Sequence, residues 1–186
     1  MNMPRPIALQ LPDVESLKKV LRTIPDFPKP GILFYDITPI LASPAAMALA
    51  VEFMTQPFRE QQVEVVAGIE SRGFIFGAAV ARNLSAGFVP IRKPGKLPGK
   101  TRRKEYALEY GTDAVEIHAD AIRPGMKVLM VDDLLATGGT MAASCELVRS
   151  LGGEVIAATF AIELGFLNGR AKLGNVPIHA VLRMES

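Results

Sequence analysis

Four apolar residues, Val128, Leu129, Met130 and Val131, run directly into the paired carboxylates Asp132 and Asp133. After Leu134 and Leu135 comes a turn of Ala136, Thr137, Gly138, Gly139 and Thr140. No other stretch restricts the fold as much. The apolar run fits a buried strand, and Met141, Cys145, Val148 and Leu151 recur on one helical face, which predicts a helix over residues 141–151. The turn therefore joins a strand to a helix whose first backbone N–H groups lack intrahelical partners, an arrangement suited to an anion. Bare carboxylates beside phosphate repel it, so a ligand for this stretch must carry hydroxyls or a bound cation together with its phosphate. A ribose phosphate meets that demand.

The remaining chain alternates strand and helix patterns. A helix is expected over residues 11–24, where Val14, Leu17, Leu21 and Ile24 share a face and Pro25 stops it. Residues 25–39 contain Pro25, Pro28, Pro30, Pro39 and Gly31, too many breakers for a long regular element. They also contain Phe27, Phe34 and Tyr35. Aromatics in such a stiffened loop either plug a core edge or offer a flat face to a ring-shaped ligand, and the plug is the commoner use. Ser43 before Pro44 reads as an N-cap with proline at the first helical position, opening a helix to about Gln61. Strands are expected over residues 63–69, 88–91, 105–111, 116–122, 127–131, 154–162 and 176–182, with an Ala- and Gly-rich helix over 74–84. This order points to one α/β domain over residues 1–186, a mainly parallel sheet with helices on both faces. In such sheets the loops leaving the carboxyl ends of the strands gather at one rim. Glu70, Ser71 and Arg72, the basic segment after Ile91, and residues 132–140 all belong there.

Composition removes several classes of function. With 49% hydrophobic and 22% charged residues the chain is ordinary for a soluble protein. It holds no apolar run of the roughly 20 residues a membrane span needs, and residues 1–6 lack a signal-peptide core. No membrane partner is expected, and a single cysteine, Cys145, fits a reducing cytoplasm. His118 and His179 stand far apart with only that cysteine to join them, which argues against a zinc or His/Cys catalytic cluster. A formal charge of +2 gives no case for nucleic acid. The charge is uneven, however: Arg92, Lys93, Lys96, Lys100, Arg102, Arg103 and Lys104 follow one another with no acid between them. Such a run is either a solvated surface or a ligand loop, and its place directly after a strand favours the loop.

The 128–140 stretch is neither of the common phosphate loops. It lacks the spaced glycine and lysine of a Walker A loop, and Gly138 and Gly139 lack the third glycine of a dinucleotide fingerprint. It resembles the phosphoribosyl pyrophosphate signature of the type I phosphoribosyltransferases. The segments 24–39, 68–74, 91–98 and 106–111 extend the resemblance over nearly the whole chain, and they are similar to the adenine-using branch of that family. The resemblance implies a type I phosphoribosyltransferase fold with a small hood, mainly from residues 1–40, and a mobile catalytic loop over about 95–111. It implies transfer of a phosphoribosyl group from phosphoribosyl pyrophosphate to adenine, giving AMP and pyrophosphate, with magnesium (Mg2+) as cofactor and a homodimer as assembly.

Residue roles follow from the same resemblance, each with a physical reason. Ala136, Thr137, Gly138, Gly139 and Thr140 hold the 5′-phosphate through amides, hydroxyls and the helix N-terminus. Asp132 and Asp133 face the ribose hydroxyls, directly or through magnesium, and favour the cationic ribosyl group of the transition state. Without the loop that follows, such a pair would read as a solvated helix-start cap. Arg72, Arg92 and Lys96 bind pyrophosphate. Leu33 and Phe34 hold adenine, which turns Phe34 from core plug to stacking face. Glu109 handles the purine proton and Tyr110 takes part in loop closure. A non-proline cis peptide at Glu70-Ser71 is implied as well. The chain departs from the family at Glu70, at Tyr35 and in the basic tip 100–105. A donor-binding regulator on the same fold would lack the 106–111 segment or carry an added DNA-binding domain, and an enzyme for another purine would lack the Phe34 segment.

Overall fold

A computed structural model describes residues 13–107 and 111–185. Their contacts divide the chain into two compact units, one ending at Ala50 and one beginning at Val51.

In the first unit, α1 (Val14–Val20) is capped by Asp13, whose carboxylate accepts from the Ser16 amide at 2.9 Å. The helix is shorter than its apolar spacing predicts. Leu21 turns extended, and β1 (Arg22–Pro25) pairs antiparallel with β2 (Leu33–Asp36). A partner strand supplied by the proline-rich segment, with Arg22 paired to Asp36, outweighs the helical pattern of residues 21–24. Next come α2 (Thr38–Ala42) and α3 (Pro44–Thr55). Ser43 accepts from the Ala46 amide at 3.3 Å, as the Ser-Pro signal predicts. Pro57 lies in a 3-10 turn, Gln56–Phe58, so the helix stops short of Gln61.

The second unit is built on a five-stranded parallel sheet. Its strands are β3 (Val65–Ile69), β4 (Gly87–Ile91), β7 (Lys127–Leu135), β8 (Glu154–Leu164) and β9 (Ile178–Met184), in the order β4-β3-β7-β8-β9. Between β4 and β7 in sequence, β5 (Thr101–Ala107) and β6 (Thr112–His118) form a separate antiparallel hairpin. Two helices cover the sheet, α4 (Gly73–Leu84) and α5 (Gly139–Ser150). Val65, Ala67, Ile69, Val128 and Met130 share a core with Met141, Cys145 and Val148 of α5 and with Val115 and Ile117 of the hairpin. The alternate face receives α4, where Gly68 and Gly77 both lie against the Phe88 ring and a Cβ on either would stand under 3 Å from it. Helices on both faces follow from this alternation, as the fold class predicts.

Connectivity fixes the ligand edge. From β3 the chain crosses to one neighbour, β4, and later returns to the other, β7, so the order reverses between β3 and β7. In a parallel sheet the crevice for a ligand opens there, outside the carboxyl ends of the two strands. The segments leaving those ends are residues 70–72 and 132–140.

Candidate active site

The turn leaving β3 contains the Glu70-Ser71 peptide in the cis form, and Arg72 stands at the N-cap of α4. Gly73, the first residue of that helix, presses on β7: a Cβ there would lie 2.6 Å from Asp132 Oδ1 and 3.1 Å from the Asp132 Cα. Only glycine allows the helix start to sit this close to the acidic pair.

Strand β7 runs past Val131 and carries the pair itself. Asp132 and Asp133 are strand residues, with Asp132 in register with Phe160 of β8 and Leu135 with Glu163. Asp133 is 5% exposed and accepts from Arg72 Nε at 2.5 Å. The Asp132 side chain accepts from the Asp133 amide at 2.9 Å. Burial first, and the Asp133 charge second, push the Asp132 carboxyl well above the usual carboxylate range, while the Arg72 charge opposes them. A carboxyl held at such a cost in its ionised form gains most when a positive charge arrives beside it.

The two carboxylates, Arg72, Ser71, Glu70, Lys93 and Thr140 line a cavity of about 280 Å³. A smaller pocket of about 90 Å³ lies along residues 134–141 and shares Asp132, Leu134 and Thr140 with it. Here α5 begins at Gly139 without a side-chain cap, leaving its first amides to a ligand. Gly138 has φ 78°, and a Cβ on it would meet the Gly169 carbonyl at 2.3 Å. In return, a Cβ on Gly169 would meet the Ala136 carbonyl at 2.2 Å. The glycine at 138 is required by the approach of the protein's own backbone, in addition to any approach of phosphate. The 3-10 turn that supplies Gly169, Gly169–Leu173, is anchored by Arg170, which donates to both carboxylate oxygens of the buried Glu163 at 2.6 Å.

Two of the expected cations, Arg72 and Arg92, are engaged by acids. Arg92 Nε donates to Glu70 at 2.8 Å and its Nη1 to the Lys96 carbonyl at 3.1 Å. Glu70 also accepts from the Lys93 amide at 3.1 Å. Burial alone would raise the Glu70 carboxyl, yet these bonds hold it below its ordinary value. Lys93 faces the cavity and Lys96 is not among its lining residues. The Lys93 ammonium donates to Asp113 and, at 3.1 Å, to the Tyr106 hydroxyl. Against burial, which works to lower it, these partners hold the Lys93 pKa above its ordinary value. Sequence reasoning counted Lys93 in the basic run but gave it no role; its position two residues beyond the end of β4 was the available signal.

The segment expected as a loop tip, residues 100–105, is largely strand β5, where Lys104 pairs with Glu146 of α5 at 2.5 Å. Its pairing with β6 in full register gives the basic residues a sheet partner that their charge did not foretell. Glu109 and Tyr110 lie outside the described residues. In the first unit, Leu33 and Phe34 lie on β2; Leu33 is 43% exposed, and the Phe34 ring meets Phe27 edge-on with centroids 5.1 Å apart. Among the described residues no three His, Cys, Asp or Glu side chains gather as metal ligands. Asp132 and Asp133 alone suit a hard cation that brings most of its oxygens with a substrate.

Residues 36–176 match the family model of the phosphoribosyl transferase domain. The adenine phosphoribosyltransferase of Nitrosococcus oceani is 56% identical over 169 residues, covering 91% of this chain and 99% of its own. That of Sorangium cellulosum is 59% identical over 157 residues, covering 84% and 78%. Among solved structures, adenine phosphoribosyltransferase from Rhodothermus marinus aligns with a TM-score of 0.88 at 54% identity, covering 92% of this chain and 98% of that one. The Saccharomyces cerevisiae enzyme, complexed with D-2,5-dideoxy-2,5-imino-altritol 1,6-bisphosphate and adenine, aligns at 0.86 with 42% identity, covering 91% and 98%.

Proposed function

The chain belongs to the phosphoribosyltransferase family, within its adenine phosphoribosyltransferases, and we propose from its geometry which residues carry the reaction. It transfers the 5-phosphoribosyl group of phosphoribosyl pyrophosphate to adenine, forming AMP and pyrophosphate, a purine-salvage step. The observation that carries the assignment of roles is the acidic pair at the end of β7, set at the reversal of strand order between the Arg72 turn and the uncapped start of α5.

The 5′-phosphate lies along residues 136–140, bound by the first amides of α5 and the hydroxyls of Thr137 and Thr140. Asp132 and Asp133 take the ribose hydroxyls. As the bond from C1′ to pyrophosphate lengthens, positive charge grows on the ribosyl group, and the buried Asp133 together with the half-buried Asp132 favours that charge over the neutral ground state. Arg72 and Lys93 face the departing pyrophosphate, with Arg92 and Lys96 behind them. Asp132 or Asp133 would hold magnesium together with the donor, and the ion would supply positive charge to offset that of the phosphates. Leu33 and Phe34 hold the base, and Glu109 handles the purine proton while Tyr110 helps close the loop over the site.

A homodimer is the proposed assembly, with the exposed side chains of Ile75, Phe166 and Leu167 as apolar surface available to it. No helix among the described residues is long and apolar enough to cross a membrane, and the cytoplasm is the proposed location. Incubation of the pure protein with phosphoribosyl pyrophosphate, magnesium and each of adenine, hypoxanthine, guanine and xanthine tests the assignment. AMP from adenine, far above product from the other three, is expected; absence of turnover with adenine sinks it.

A further inference from the structure

The Tyr106 hydroxyl stands between Lys93, on the pyrophosphate side of the donor site, and Thr140, in the 5′-phosphate cradle. The residue lies on β5, and its oxygen is within hydrogen-bond reach of three partners: Lys93 Nζ at 3.1 Å, Asp113 Oδ2 at 3.1 Å and Thr140 Oγ1 at 3.0 Å. A phenol has one proton to give and two lone pairs. Donating to Asp113 and accepting from Lys93 and Thr140 uses all of them. Asp113 also binds the Lys93 ammonium, so lysine, aspartate and phenol form a closed triangle, and the Lys93 charge lies 5.6 Å from the Tyr106 ring centroid. The ring itself rests near the first residue of α5, where a Cβ on Gly139 would be 3.4 Å from it.

This bonding sets the two ends of the donor site against each other. A Thr140 hydroxyl that gives its only proton to Tyr106 presents lone pairs, and no proton, to a phosphate oxygen in the cradle. For Thr140 to donate to the 5′-phosphate, the bond to Tyr106 must be given up. Lys93, in contrast, is aimed along the cavity by the same phenol and by Asp113.

Resting on the donor-site reading above, we propose that Tyr106 is a positioning residue whose hydroxyl holds Lys93 for pyrophosphate while competing with the 5′-phosphate for the Thr140 hydroxyl. The coupling has a definite sign. Losing the phenolic oxygen frees Thr140 for phosphate and leaves Lys93 with Asp113 alone. The two ends of the donor should therefore respond in opposite directions, which a general loosening of the site does not produce.

The test is calorimetric titration of the wild-type protein and of Tyr106→Phe with ribose 5-phosphate and, separately, with magnesium pyrophosphate. Phenylalanine keeps the ring contact with α5, and the thermal midpoint of each protein is recorded as a check on folding. One hydrogen bond gained or lost corresponds to about a two- to ten-fold change in affinity. Ribose 5-phosphate is expected to bind more tightly to Tyr106→Phe, and pyrophosphate more weakly, each within that range. Thr140→Val in the Tyr106→Phe background should abolish the gain for ribose 5-phosphate and leave the loss for pyrophosphate. Shifts of the same sign for both ligands, or none for either, overturn the inference while leaving the donor site intact. Failure of the wild-type protein to bind ribose 5-phosphate overturns the cradle assignment and the inference together.

Discussion

The cradle at residues 136–140 and the cations around Arg72 both face anions in the proposed reaction, and they are built in opposite ways. The cradle relies on backbone: a strand end, a left-handed glycine and the first turn of α5, fixed against Gly169 by carbonyl contacts that admit no side chain. Its backbone donors are in place whether or not a ligand is near, unlike the Thr140 hydroxyl, which bonds to Tyr106. The cations rely on side chains, and three of them stand in ion pairs: Arg72 with Asp133, Arg92 with Glu70, Lys93 with Asp113. Pyrophosphate must compete with carboxylates for them. Amide donors fixed by the backbone are suited to a group that stays bound through the reaction, and exchangeable pairs to one that must leave.

Substitutions at the two regions should separate these designs. The largest effect is expected at Gly138→Ala, where the added methyl meets a carbonyl that cannot swing away and the residue is forced to a positive φ. Overpacking of this kind costs about 1–3 kcal/mol. Denaturant unfolding should show that loss, accompanied by near-complete loss of affinity for ribose 5-phosphate; normal binding would mean the cradle is softer than its contacts indicate. Lys93→Ala is expected to act on one end only, weakening pyrophosphate about ten-fold or more, as for loss of a charge-assisted bond, while ribose 5-phosphate binding changes little. Equal weakening of both would erase the distinction between the regions.

The smallest effect concerns Asp132 and has a sign opposite to most site substitutions. Its carboxyl is held above the ordinary range in the folded protein, so the folded state takes up a proton more readily than the unfolded chain. Ionising it therefore costs stability, a cost that grows as pH rises from the unfolded carboxylate value through the folded one. Asp132→Asn removes the cost. Its thermal midpoint should exceed that of the wild type near neutral pH, and the gap should close as pH falls toward about 4, where the unfolded carboxyl also protonates. A midpoint below that of the wild type at pH 7 would show that the carboxylate is stabilised by contacts other than those described.

The parts of this site that were legible in the sequence are those built from neighbours in the chain. Residues 128–140 place strand, acids and helix start within one continuous stretch, so their chemistry could be read before their coordinates. The Ser43-Pro44 cap was equally local, whereas the cis Glu70-Ser71 turn was implied only by the family resemblance. What escaped depended on distant partners. Residues 21–24 look helical until β2 offers them an edge, and residues 101–104, before the expected strand, look like a charged loop until β6 pairs with them. Gly169 meets Gly138 from another turn altogether, and Glu163 holds that turn through Arg170. Lys93 was visible as one charge among several, but only Asp113 and Tyr106 show why it, more than Lys96, faces the cavity.

Of the acidic pair, Asp133 above all is proposed to favour the ribosyl cation. Asp133→Asn keeps the shape of the side chain and an oxygen for Arg72, and it removes the negative charge. Steady-state AMP formation and the thermal midpoint, measured on the same preparation, test the claim. Turnover is expected to fall by about 100-fold or more, as for loss of a buried electrostatic contact to the transition state, with the midpoint moving by only a few degrees. A midpoint that collapses in step with activity, or turnover close to that of the wild type, would contradict it.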